Sequence, residues 1–394
     1  MSEQRANSGG PRPERAFLDP HKAGLKSIQR YLQTAVDKAF VPTHPAEYTA
    51  VTVVLLHFDN DDLGIGDLER ELGVVFRDWY GFRVQHHRLP SSGNPRLILT
   101  NILLKLINEG FADQGNLVVL VFSGHAQIKQ ETIGQNSRKV EKLHVGGRVW
   151  NGMLTGNTLK WNDVVEVFEG CEADVLHIMD CCYAAEAAIP YAEMLAATSA
   201  TEMASSDIAT SFTRALIEQL KRFSSSGTSV ANLFSHMMAE RKALKLTYTP
   251  VYDPRPGEKP SIFLKPKGSS VKKNVITQAT GKSPRILLTA HLEASLNPGD
   301  VNELEKWMTT FIPKTVQNVQ VKLEGFFDAD SGVMLFTVPI DIWSQLEPSG
   351  AFTYVGVVHS RNRLLRPPIA LPVLGSRPVA ATGENIRPSD ETTK

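Results

Sequence analysis

Continuous apolar runs alternate along most of the chain with segments whose apolar residues recur at helical spacing. The runs at residues 51–57, 82–87, 117–122, 174–179 and 194–198 predict strands, and residues 261–264 predict a last short one. Helical spacing marks residues 26–40, 68–79, 97–107, 161–168, 208–223 and 230–246. This alternation predicts an α/β fold: a doubly wound, mostly parallel sheet with helices on both faces.

The rest of the chain differs in composition. Residues 1–20 are polar and predict a disordered start, and residues 127–160 form a long polar stretch with room for a short hairpin. Residues 266–283 are rich in Lys, Gly, Ser and Thr, which is typical of a linker. Residues 284–366 then predict a small α+β domain of ferredoxin-like order, followed by a loose tail over 367–394. The main domain accordingly spans residues 21–265.

The charge balance and the cysteines bear on the class of protein. Lys+Arg and Asp+Glu both number 42, which disfavours a nucleic-acid-binding or membrane-surface protein. No apolar run is long enough to span a bilayer, and the first residues lack the apolar core of a signal peptide. The three cysteines include an adjacent pair, so we expect no disulfide framework and a reducing, cytoplasmic setting.

Two reactive side chains follow consecutive buried strands. His125 comes shortly after the strand at 117–122, and Cys182 shortly after the strand at 174–179. Active sites of open parallel sheets form at the carboxyl ends of the strands, so both residues are expected at one edge. A lone Cys is more often a buried apolar residue, and a lone His is usually only solvated; Cys171 and His177 are interpreted as core in this way. The shared edge favours catalysis for the other two, because an imidazole can take the thiol proton.

The surrounding residues, FSGHA and then DCCYA, resemble the motifs of the caspase and metacaspase superfamily over about residues 51–264. With its C-terminal extension the chain is similar to the caspase-like proteins of filamentous fungi. The resemblance implies a cysteine endopeptidase with Cys182 as nucleophile and His125 as general base. It further implies backbone oxyanion donors at Ala126 and Cys182, and a pocket for a basic substrate residue lined by Asp180 and Ser123. From the sequence alone, Asp180 is equally well interpreted as the cap of a local turn.

Several positions depart from the family pattern. Ala126 replaces a glycine, Tyr183-Ala184-Ala185 replaces His-Ser-Gly, and the Gly-Cys-x-x-Asp element of metacaspases has no clean counterpart. These departures favour an alternative, a catalytically inactive caspase-like scaffold or regulatory module. A nucleotide-binding fold is a third alternative, which the absence of a glycine-rich phosphate loop after the first strand opposes.

Cofactors and partners follow from the same residues. Asp59, Asp61 and Asp62 offer oxygen ligands for calcium, although their spacing matches no EF-hand loop. The expected partners are protein or peptide substrates. The short segment 186–193 predicts a chain that works uncut or is cut elsewhere, and self-processing would suit the basic residues of the polar stretch, Arg138, Lys139, Lys142 and Arg148.

Overall fold

The computed structural model describes residues 23–39, 47–133, 138–198, 212–255, 259–268, 285–294, 299–300, 302, 304, 307, 321–327, 332–346 and 351–358. By their contacts, the residues divide into a compact unit from Met1 to His359 and a second unit from Ser360 to Lys394. Every described residue belongs to the first unit. The expected disordered start, most of the expected linker and the expected tail lie outside the described residues.

Seventeen strands have described bounds. In chain order they are β1 (Val51–Phe58), β2 (Arg83–Leu89), β3 (Leu117–Ser123), β4 (His125–Ile133), β5 (Arg138–Gly146), β6 (Arg148–Trp150), β7 (Met153–Thr155), β8 (Leu159–Lys160), β9 (Asp174–Asp180), β10 (Glu193–Ala196), β11 (Thr228–Ser229), β12 (Val251–Asp253), β13 (Phe263–Leu264), β14 (Arg285–His291), β15 (Lys322–Phe327), β16 (Val333–Pro339) and β17 (Phe352–Val358).

The α-helices with described bounds are α1 (Leu25–Ala39), α2 (Gly66–Val74), α3 (Pro95–Asn108), α4 (Trp161–Val165), α5 (Phe212–Arg222), α6 (Val230–Ala239) and α7 (Ile340–Trp343). Helix α2 continues into a π-helical turn over Val75–Trp79. Helix α3 begins at Pro95, before the expected residue 97: the Asn94 side chain accepts a hydrogen bond from the backbone N–H of Leu97, and Pro95 occupies the first turn.

Six strands form the central sheet, in the order β12-β10-β9-β3-β1-β2. All neighbours are parallel except β12, which runs antiparallel to β10 at the edge. Odd-numbered residues of β1 and β3, such as Val53 and Val119, pack with α1, α2, α5 and α6. Even-numbered residues, such as Val54 and Leu120, pack with α3 and α4. The prediction of a mostly parallel sheet covered on both faces is therefore confirmed.

The C-terminal strands form a second sheet, in the order β15-β16-β14-β17, with every neighbouring pair antiparallel. Its buried residues, for example Ile286 and Phe336, belong to the same hydrophobic core as Ile28 of α1 and Met237 of α6. This sheet therefore packs into the first compact unit. A separate ferredoxin-like domain over residues 284–366 stays a prediction.

The polar stretch after β3 contains more regular structure than the expected short hairpin. Strands β4 and β5 form an antiparallel hairpin of nine residues on each side, paired from His125–Gly146 to Ile133–Arg138. Strand β8 pairs with β5, and β6 and β7 form a second hairpin. The many charged and polar residues of β4 and β5 obscured this pattern, although Ala126, Leu143 and Val145 of the hairpin are buried in the core.

Two smaller expectations need correction, and one further strand was not expected. Helix α6 ends at Ala239 instead of continuing to residue 246, and the turn that follows includes Lys245 with a positive φ of 55°. The strand expected at 261–264 is the short β13, which pairs with β11 outside the central sheet. Edge strand β12 was not expected, because three residues are too few for a recognisable period.

Candidate active site

The ends of β3 and β9 lie side by side at the carboxyl edge of the central sheet. Ser123 at the end of β3 is the register partner of Asp180 at the end of β9. The backbone N–H of Gly124 then donates to the carbonyl of Asp180 at 3.1 Å, so the two chains stay together one residue further. His125 and Cys182 each lie two residues beyond that paired register. The two strand ends therefore bring both reactive residues to one edge, as the sequence predicts.

Gly124 joins β3 to β4 in a crowded position. Its φ is 155°, and a Cβ placed there would lie 3.0 Å from Cζ of Phe122 and 3.3 Å from the carbonyl oxygen of Gly146. Phe122 cannot move easily, because it is fully buried and packs edge-on against Phe58. Because these neighbours leave little room for a side chain, the packing requires a glycine at position 124, directly before His125.

His125 opens β4 and is partly buried. Its Nε2 lies 2.7 Å from Oδ1 of Asp62, a residue 63 positions earlier in the chain. The side chains are 17% and 35% exposed, so water screens this pair only in part. Arg148 is also near, with Nε 3.8 Å from Oδ2 of Asp62. Asp62 was expected only as a calcium ligand, and no local sequence pattern pointed to its contact with His125.

The three acidic residues of the Asp59–Asp62 turn do not converge on one point. Asp59 accepts from the N–H of Ser91 at 2.8 Å. Asp61 accepts from the N–H groups that follow it, Leu63 at 3.1 Å and Ile65 at 2.8 Å. Across the described parts of the chain, no group of three or more His, Cys, Asp or Glu side chains is placed to hold a metal ion. Asp59 and Asp61 accept hydrogen bonds from the backbone, and Asp62 contacts His125.

The adjacent cysteines have different surroundings. All three cysteines lie in described segments, and none forms a disulfide. Cys181 is fully buried, and burial raises the pKa of its thiol well above the ordinary value, assisted by Cys182 and Asp180. Cys182 is partly exposed. Since the reactive form of cysteine is the thiolate, this contrast favours Cys182 over Cys181 as a nucleophile.

The turn after Cys182 has an unusual backbone. Tyr183 adopts the left-handed conformation, with φ 55° and ψ 29°, and a short 3₁₀ turn follows over Ala184–Ala187. A left-handed residue with a large side chain persists only where its surroundings hold it in place.

Thr198 provides that support. Its hydroxyl donates to the carbonyl of Cys181 at 3.2 Å and accepts from the N–H of Ala184 at 3.3 Å. Its carbonyl accepts from the N–H of Ala185 at 3.3 Å. Thr198 is fully buried just beyond β10. Sequence reasoning placed Thr198 at the end of a strand and missed this role.

Asp180 contacts the first turn of α5. Its Oδ2 accepts from the backbone N–H of Thr213 at 3.0 Å and from the Thr213 hydroxyl at 2.6 Å. Burial raises the pKa of Asp180, and the two Thr213 bonds oppose that shift. The alternative interpretation as a turn cap is thus partly realised, although Asp180 binds a distant helix end and not its own turn.

Of the remaining residues, the two expected in the site, Ser123 and Ala126, are buried, and the two expected in the core differ in burial. Ser123 is 3% exposed and Ala126, in β4, is 6% exposed. His177 belongs to the core, where it packs edge-on against Trp161, whereas Cys171 is only partly buried.

The basic residues proposed for self-cleavage lie on the hairpins of residues 125–155. Lys142 is 3.6 Å from Asp163, and Arg148 approaches Asp62. The side chains of Arg138 and Lys139 lie outside the described part of the structure.

Comparison with known proteins gives little further guidance. No family model and no curated protein matches the chain. Among solved structures, the chain is similar to one described as the structure of pro-sf-caspase-1, at 12% identity. That similarity covers 54% of this chain and 94% of the other, with a TM-score of 0.36. A TM-score this low carries no argument about this chain. Within the described residues, no helix combines the length and apolar character needed to cross a membrane.

Proposed function

We propose that this protein is a caspase-like cysteine endopeptidase. The observation that supports it most is the register of β3 and β9, in which Ser123 pairs with Asp180. That register brings the following residues, His125 and Cys182, to one edge of the sheet. The accessible cysteine of the adjacent pair is also the one that the family motif assigns as nucleophile.

The chemistry requires one proton acceptor and one nucleophile. The imidazole of His125 takes the thiol proton of Cys182, and Sγ forms a bond to the carbonyl carbon of the substrate. The resulting oxyanion collapses, the C–N bond breaks, and the amine leaves with the proton from His125. Water then attacks the thioester while giving a proton to His125, and that proton returns to Sγ as the acid product leaves.

Backbone groups at the two strand ends would stabilise the oxyanion. The proposed donors are the N–H groups of Cys182 and Ala126. Tyr183, in the left-handed conformation, turns the chain sharply directly after Cys182. The hydroxyl of Thr198 stabilises this turn through its hydrogen bonds to Cys181 and Ala184. A donor fixed in this way needs no rearrangement during the reaction.

We further propose that the specificity pocket is lined by Asp180 and Ser123 and prefers an Arg or Lys residue of the substrate. Both bonds from Thr213 end on Oδ2 of Asp180, and no described residue donates to Oδ1. A substrate guanidinium could bind Oδ1 and would favour the ionised carboxylate, which burial alone disfavours. Asp180→Asn should therefore lower hydrolysis after Arg and Lys by at least about tenfold and leave other substrates much less affected.

Hydrolysis of short fluorogenic peptides ending in Arg, Lys or Asp tests the proposal, measured with and without calcium. We expect cleavage after Arg or Lys that is lost in Cys182→Ala and in His125→Ala. Cys181→Ala is the matched control, and it should keep most of the activity because Cys181 is a buried core residue. A wild-type protein inactive on every peptide, or activity that survives Cys182→Ala, would favour the inactive scaffold suggested by Tyr183, Ala184 and Ala185.

Self-processing is a separate proposal. We expect the active enzyme to remain a single chain or to be cut within residues 127–160. A denaturing gel of the wild type beside Cys182→Ala would show this, and a cut between residues 186 and 193 would contradict it.

A further inference from the structure

We propose that Asp62 is a positioning residue that fixes the orientation and tautomer of His125. This inference rests on the proposed function for its effect on catalysis, whereas the contact itself does not depend on it. Oδ1 of Asp62 lies 2.7 Å from Nε2 of His125. An ionised carboxylate can only accept hydrogen bonds, so Nε2 must carry the proton in this contact.

The consequence concerns the other ring nitrogen. A neutral imidazole has one protonated nitrogen and one with a lone pair. If the proton stays on Nε2, the lone pair is on Nδ1, and Nδ1 is the atom available to take the thiol proton of Cys182. When His125 becomes positively charged in that step, Asp62 stabilises the imidazolium at short range.

Hydrogen bonds and close packing hold the turn that carries Asp62 in place. The two hydrogen bonds to Asp61 fix the backbone directly beside Asp62. Gly147, next to the end of β5, lies so close that a Cβ there would come 2.1 Å from Oδ1 of Asn60 and 2.4 Å from Cβ of Phe58. Strand β5 pairs in turn with β4 at His125. The close contact of Gly147 with Asn60 and Phe58 therefore connects the turn that carries Asp62 to the hairpin that carries His125.

Asp62→Asn tests the proposal with little change in shape. The asparagine can accept from Nε2 with its oxygen or donate to it with its NH₂, so the tautomer is no longer fixed. We expect kcat for an Arg peptide to fall about 10- to 100-fold with KM changed less than about twofold. Asp62→Glu should restore part of the loss. The control is Asp59→Asn, which removes the same charge from the same turn, keeps an acceptor for Ser91 and has no contact with His125.

A second measurement does not need activity. Long-range ¹H–¹⁵N NMR of histidine-labelled protein, with His125 assigned from His125→Ala, should show the Nε2–H tautomer in the wild type. Asp62→Ala should convert this signal to a mixture of tautomers. Wild-type kcat in Asp62→Asn, or an Nδ1–H tautomer in the wild type, would overturn the proposal. If the wild type hydrolyses no peptide, the proposed function fails, while the tautomer still decides whether Asp62 positions His125.

Discussion

The hydroxyl of Thr198 donates to the carbonyl of Cys181, one residue before the candidate nucleophile, at 3.2 Å. The same hydroxyl accepts from the N–H of Ala184, two residues after Cys182. One buried side chain at the end of β10 therefore bridges both sides of the turn that carries Cys182. This contact links the shape of the turn to a neighbouring strand of the sheet.

Thr198→Val should loosen this turn. Valine keeps the shape of threonine but leaves a buried carbonyl and a buried N–H without a partner, which costs about 1–3 kcal/mol of unfolding free energy. We expect that loss in urea unfolding, and a lower kcat for an Arg peptide because the turn positions Cys182. Thr198→Ser keeps the hydroxyl and is the control. Equal loss of stability in both variants would mean that packing of the methyl group, and not the hydrogen bonds, supports the turn.

The parts of the fold that the sequence predicts well are those with strong local patterns. Strands such as β1 and β3 are buried on both faces, so an unbroken apolar run marks each of them. The shared edge of His125 and Cys182 then follows, because consecutive parallel strands end on the same side of the sheet.

The parts that the sequence does not predict depend on contacts between distant residues. The Asp62–His125 contact joins positions 63 residues apart, and Thr198 reaches back 17 residues to Cys181. An acidic turn and a threonine at a strand end have many common interpretations. Only the packed structure selects among these interpretations. The reactive pair can therefore be predicted from the sequence, whereas the residues that position it cannot.

Gly124→Ala should disturb the packing at the junction between β3 and β4, directly before His125. The added Cβ would press on the ring of Phe122 at 3.0 Å and on the carbonyl of Gly146 at 3.3 Å. Relief requires a backbone shift in a packed core, which costs about 1–3 kcal/mol. We expect that loss in thermal or urea unfolding, together with weaker peptide hydrolysis. Gly66→Ala, at the start of α2, should be close to neutral, because a Cβ added there would have no atom within 4 Å. A Gly124→Ala protein as stable as the wild type would show that this junction is not tightly packed.

His177 should make the protein less stable in acid. The ring is fully buried, and burial lowers its pKa to about 4 from an ordinary 6.5, opposed in part by a hydrogen bond with the Ala187 backbone. Between these values the unfolded chain binds a proton that the folded chain does not. The contribution of His177 to stability therefore falls by about 3 kcal/mol in total as the pH drops from about 6.5 to about 4.

His177→Phe should remove this contribution. In urea unfolding at several pH values, the stability of the variant relative to the wild type should rise by about 3 kcal/mol as the pH falls from about 6.5 to about 4. Phenylalanine also suits the edge-on contact with Trp161. His291→Phe, at a half-buried position in the second sheet, is the control and should follow the pH profile of the wild type. A His177→Phe protein with the pH profile of the wild type would mean that the His177 ring takes up a proton as readily in the folded protein as in the unfolded chain.

Glu193 should act in the opposite direction. It is fully buried and accepts from the N–H of Ile262 at 2.7 Å, the hydroxyl of Ser261 at 2.5 Å and the hydroxyl of Tyr252 at 2.8 Å. Burial raises its pKa from an ordinary 4.5 to about 7, and these hydrogen bonds oppose the shift. Between the two values the folded chain binds the extra proton. The contribution of Glu193 to stability is thus fully present below about 4.5 and falls by about 3 kcal/mol as the pH rises through about 7.

The effects of Glu193 and His177 should nearly cancel between pH 4.5 and 6.5 in the wild type. The two residues point to opposite faces of the sheet, because Glu193 pairs with Leu176 and Met194 pairs with His177. Their contributions should therefore add independently. Relative to the wild type, Glu193→Gln should make stability rise with pH in this window, His177→Phe should make it fall, and the double variant should follow the wild-type profile. Glu218→Gln, on the exposed face of α5, is the control for charge. If Glu193→Gln kept the wild-type pH profile in urea unfolding, Glu193 would be ionised in the fold, held by its three donors in spite of burial.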